Sequence, residues 1–76
     1  MNQELVDMAM VAIRNELKKQ GKVAGRFPLT ALDIVRGRFP GYFQVALQQL
    51  VDRSLLTFDG GRFLTLTEEG SLWLLR

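Results

Sequence analysis

An α+β fold, mostly helical, is predicted by three stretches of the chain. Residues 3 to 20 contain no Gly or Pro and carry apolar side chains at helical spacing. The segment "RFPGYFQVALQQLVDRSLL", residues 38 to 56, reads as a turn, an amphipathic helix and the start of a strand. In "LLTFDGGRFLTL", residues 55 to 66, two β-favouring runs flank Asp-Gly, among the strongest short hairpin signals. Together they predict one domain over 1 to 76, built of three helices, a short hairpin and a short C-terminal helix.

In the first helix, Leu5, Met8, Ala9, Ala12, Ile13 and Leu17 form a core-facing stripe, and Gly21 supplies the stop. Val6, Met10 and Val11 spread apolar surface onto the flanks. A helix apolar over most of its circumference needs cover on more than one side, and a second chain is the expected cover. The linker "GKVAGRFPL" reads as extended, with a short edge strand at Val23 or Phe27 to Leu29. Thr30 and Asp33 have the spacing of a capping box with Asp in place of Glu, which starts a short second helix near Ala31. Ala31, Leu32, Ile34 and Val35 supply its apolar content, and Gly37 closes it.

Phe39-Pro40-Gly41 is the next turn, with Pro suited to a first helical position. The third helix runs from Tyr42 to about Ser54. Phe43, Ala46, Leu47, Leu50 and Val51 face inward, which leaves Gln44, Val45, Gln48, Gln49 and Asp52 outward. In the hairpin, tipped by Asp59-Gly60-Gly61, alternation puts Leu56, Phe58, Leu64 and Leu66 on one face. Thr67 caps the last helix, with Glu68 and Glu69 in its first turn. Leu72, Trp73, Leu74 and Leu75 follow one another there, and no single core face holds all four.

Composition narrows the function classes. Among 76 residues there is neither Cys nor His, which removes disulfides, the usual zinc sites and every triad built on imidazole or thiolate. Glu68 and Glu69 diverge on a helix, and "DGGR" lies between strands, not ahead of a helix, so neither an acid/base pair nor a phosphate loop is present. The protein is read as no enzyme, with no cofactor and no metal. Met8 to Ile13 is too short for a signal or a membrane span, and a cytoplasmic location is the default.

The formal charge is only +2, but it is unevenly spread. From Arg14 to Arg38 seven basic residues meet two acids, a local net of +5, while the rest of the chain carries a net of −3. One positive side suits a polyanionic partner.

Two motifs extend this reading. "ALQQLVDRSLLTF" is similar to a recognition helix that runs through Leu-x-x-Leu-Val into a Leu-Leu strand, and "FLTLTEEG" resembles the Leu-Thr-x-x-Gly close of a wing. Most of the chain thus resembles a winged helix-turn-helix domain of the MarR-like and PadR-like regulators. The resemblance implies a small bacterial or phage transcriptional regulator whose partner is duplex DNA. It would set Arg36 and Arg38 on phosphates, Gln44, Val45, Gln48 and Gln49 in the major groove with Tyr42 beside them, and Arg62 at the wing tip. Glutamine is chemically able to pair with adenine, and valine to touch a thymine methyl. The segment after the family's wing leads into a dimerisation helix, which implies a homodimer through Val6, Met10, Val11, Leu72, Trp73 and Leu75.

The chain also departs from the family. Pro40, Gly41, Tyr42 and Phe43 stand where recognition helices place Ser, Thr, Lys or Arg, and Asp52 lies on the outward face. The alternative is therefore a winged-helix protein-interaction module, an adaptor or inhibitor that binds no DNA and docks through the third helix and Tyr42.

Overall fold

Asn2 starts the first helix by accepting hydrogen bonds from the backbone N–H groups of Glu4 and Leu5, at 3.0 and 3.4 Å. The computed structural model describes residues 2–76, and Met1 lies outside them. Helix α1, Gln3–Lys19, ends where Gly21 takes φ +72°. There the Lys22 N–H reaches the Leu17 carbonyl at 2.9 Å and the Gly21 N–H the Lys18 carbonyl at 3.0 Å. This paired closure uses a left-handed residue that glycine adopts without strain.

The buried stripe of α1 is Val6, Ala9, Met10, Ile13 and Leu17, which corrects the expected one. Val6 is 0% exposed and Met10 5%, whereas Met8 is 52% exposed. Helix α1 packs chiefly on a later helix, α3 (Phe43–Asp52), with other helices at its flanks. The position of α3 sets the buried arc, and it draws Val6 and Met10 into the core. Neither is available to an outer dimer face.

Strand β1 is Gly25–Pro28, and a 3-10 turn, Leu29–Leu32, leads into α2, Asp33–Arg38. The Thr30 cap does not form: neither the turn nor α2 has a side-chain cap. The Gln20 amide instead donates to the Ala31 carbonyl at 2.8 Å, tying the turn to the end of α1. Leu32 and Val35 enter the core, while Ile34 is exposed. Gly37 does not close α2, which runs on to Arg38. Gly41, at φ +83°, makes the turn, and α3 begins after Pro40, at Phe43.

Helix α3 closes as α1 does, with the Ser54 N–H on the Val51 carbonyl and the Leu55 N–H on the Leu50 carbonyl, both at 2.9 Å. Here the left-handed residue is Ser54, at φ 60°. A non-glycine residue in this region costs about 1 kcal/mol or more, partly offset by the chain entropy a glycine would lose. Ser54→Gly is therefore expected to stabilise the fold by about 0.5 kcal/mol, a rise of a few degrees in melting temperature. A lower melting temperature would count against this account.

The hairpin strands are β2, Leu56–Asp59, and β3, Phe63–Leu66. With β1 they form an antiparallel sheet of order β1-β3-β2. Asp59 pairs with Phe63, so the tip is Gly60, Gly61 and Arg62, one residue later than expected. Phe27 and Phe58 both oppose Leu64, and Gly25 and Leu56 both oppose Leu66. Leu56, Leu64 and Leu66 are buried as predicted, but Phe58 stays exposed, whereas Phe27, which opposes Leu64 from the other outer strand, is buried. Thr67 caps α4, Glu68–Leu75, by accepting the Gly70 N–H at 3.0 Å. Leu74 alone of the four consecutive apolar residues is fully buried. Among the described residues no helix is long and apolar enough to cross a membrane.

Candidate nucleic-acid interface

Two arginines far apart in sequence share one groove. Gly60 and Gly61 adopt φ +69° and +80°, which turns the hairpin tightly. The Leu29 N–H then donates to the Arg62 carbonyl at 2.8 Å, holding the tip against the start of the 3-10 turn. An open groove of about 440 Å³ results, with Thr30 and Arg36 on one wall and Gly61 and Arg62 on the other. The Arg36 guanidinium also lies 5.9 Å from the Phe43 ring centroid, so the groove adjoins the start of α3.

Arg36 donates through Nη2 to Asp33 Oδ1, one turn earlier in α2. A guanidinium has five N–H donors, so this bond fixes the side chain and leaves donors for a second acceptor. Arg38 does not join it. Two residues on, it lies on the far side of α2, 5.7 Å from the Phe39 ring centroid, in a groove against α1. The expected neighbours Arg36 and Arg38 are thus divided, and it is Arg62 that lines the same groove as Arg36.

On α3, Gln44 and Gln48 are exposed. The Gln48 amide donates to Asp52 Oδ1 at 2.9 Å. Gln49 exchanges amide hydrogen bonds of 2.9 and 3.0 Å with Gln3, which turns it toward α1 and away from the other two. Tyr42 and Val45 are half-buried against the core, and Phe43 takes the core position of the aromatic pair. The exposed part of the predicted reading face is Gln44 and Gln48, the latter bonded to Asp52.

The basic stretch is thinned by internal pairing. Arg26 reaches across β3, its guanidinium 3.9 Å from the Phe63 ring centroid and its Nε 3.2 Å from Asp59 Oδ2 on β2. Its partners lie outside residues 14 to 38, and only the β1-β3-β2 order brings them together. Thr30 and Gly61 line the groove without any sequence signal marking them, because that wall exists only once β1 and the hairpin pair. Lys18 and Lys19 occupy the last turn of α1, where positive charge is favourable for local reasons.

No protein-family model, curated protein or solved structure matches this chain. Among the described residues no three His, Cys, Asp or Glu side chains gather as a metal site. Two guanidinium groups and a hydroxyl around an open groove are donors suited to holding an anion.

Proposed function

We infer that this is a small winged-helix domain that binds duplex DNA as a transcriptional regulator. Helix α3 presents Gln44 and Gln48 to the major groove, and Arg36 on α2 and Arg62 at the wing tip contact phosphates. The observation that carries the reading is the groove in which Arg36 and Arg62 meet beside the start of α3. A helix flanked by cations on a neighbouring helix and a hairpin has the layout in which backbone contacts position and base contacts specify. The exposed lysines at the end of α1 supply further positive potential.

The test is fluorescence anisotropy of a labelled duplex of random sequence. With about four phosphates neutralised, affinity should fall on the order of a hundredfold between roughly 50 and 200 mM salt. No binding at the lower salt would remove DNA from the reading.

One set of observations favours a second reading, in which the same fold binds a protein. Arg26 and Arg36 already hold carboxylates, and Ile34 on α2 and Phe58 on β2 are exposed apolar side chains. A protein partner would bind with little dependence on salt, and Tyr42→Ala would be the most damaging surface change.

A further inference from the structure

Asp52 is the only acid in α3, and it is exposed at the last position of the helix. A carboxylate there faces the negative end of the helix dipole, which is locally unfavourable. Among the described residues the ion pairs are those of Arg26 with Asp59 and of Arg36 with Asp33, so no cation offsets Asp52. What it holds is an amide. Gln48 Nε2, one turn earlier on the same exposed face, donates to Asp52 Oδ1 at 2.9 Å.

That bond fixes what the pair can offer a base. An ionised carboxylate only accepts, so the Gln48 nitrogen is the atom that faces it, and one of the two amide N–H groups is committed. The carboxylate is held in place with Oδ2 left to accept. In the major groove guanine presents two acceptors and thymine one, and both oppose a carboxylate. Adenine sets the acceptor N7 beside its amino group. Cytosine presents the N4 amino group with no acceptor next to it, which makes it the base a fixed carboxylate suits best.

We propose that Gln48 and Asp52 act as one unit that selects cytosine, with Asp52 accepting from N4 and Gln48 positioning the carboxylate. The inference rests on the DNA reading above, and at this position it replaces the adenine that an unpartnered glutamine pairs with. Gln44 keeps its adenine chemistry, since no acid lies within a turn of it. Removing the carboxylate frees the whole amide edge of Gln48, and the preference there moves from cytosine to adenine. It also removes a charge that phosphates repel, so affinity for DNA of any sequence rises. A purely structural Asp52 would not couple a gain in affinity to a change of preferred base.

The test is selection of bound sequences from a random duplex library by the wild-type chain, Asp52→Ala and Gln48→Ala, followed by anisotropy on the selected duplexes. Wild type should select cytosine at one position and bind roughly tenfold more weakly when that C·G pair is changed to T·A or A·T. Asp52→Ala should select adenine there, leave the other positions unchanged, and bind a random duplex more tightly than wild type at low salt. Gln48→Ala should weaken the cytosine preference without creating one for adenine. Both side chains are exposed, and far-UV circular dichroism confirms that each variant is folded. The same preferred bases for wild type and Asp52→Ala, or no gain in random-duplex affinity, would overturn the proposal while leaving DNA binding in place. No binding of any duplex at about 50 mM salt would overturn the DNA reading, and this inference with it.

Discussion

Gly70→Ala is expected to lower stability by about 2–3 kcal/mol and the melting temperature by roughly 10–20 °C. A Cβ on Gly70 would lie 2.0 Å from the Leu55 carbonyl oxygen and 3.0 Å from Leu66 Cδ2. Relief requires α4 and the segment before β2 to separate by about 1 Å, since carbon and oxygen pack no closer than about 3.2 Å. Neither side moves freely. Leu55 is held by the closure of α3, and its carbonyl accepts the Thr67 N–H at 3.2 Å. Thr67 in turn donates its hydroxyl to the Ser54 carbonyl while capping α4. Alanine's better helix propensity recovers up to about 1 kcal/mol, which is why the expected loss is not larger. Gly37→Ala is the matched control. Nothing lies within 4 Å of a Cβ there and the backbone is helical, so the same change should be neutral or stabilising. Thermal unfolding of both variants decides the matter, and a Gly70→Ala melting temperature within about 3 °C of wild type would show that the contact yields easily.

Arg36→Ala combined with Arg62→Ala should weaken binding to every duplex by roughly a hundredfold at low salt and flatten the salt slope by about 2. Each guanidinium is assigned one phosphate, and a neutralised phosphate adds about 0.9 to the slope. Arg38→Ala should do much less, because Arg38 lies on the other side of α2. Gln44→Ala and Gln48→Ala should leave the slope unchanged and alter preference among sequences. Anisotropy titrations at several salt concentrations separate these effects. Binding that survives the double arginine change with its slope intact would exclude the groove as the phosphate contact. An Arg38→Ala effect equal to that of the pair would show that α2 meets DNA from its α1 side.

Local features of this fold were legible because their causes are local. Gly21 ended α1 and Thr67 capped α4 as read, since cap chemistry involves residues within a turn of each other. The Asp-Gly signal located the hairpin, and the inward side of α3 followed from helical period alone. Thr30 misled because its spacing fits a cap equally well whether the next residues form an α-helix or, as here, a 3-10 turn held by Gln20.

The helices, the hairpin, the positive stretch and the excess of apolar surface on α1 and α4 follow from the order of residues alone. Tertiary structure decided how those features are used. Periodicity defines a stripe's width but not which arc is buried; the seat of α3 put Val6 and Met10 inside and left Met8 out. Charge counting likewise omits pairing across strands, and so it counted Arg26 as free when Asp59 and Phe63 hold it. Arg36 and Arg38 parted, and Arg36 and Arg62 met, for separate reasons. Neighbours on a helix point apart, while the pairing of β1 with the hairpin brings distant residues to a common groove.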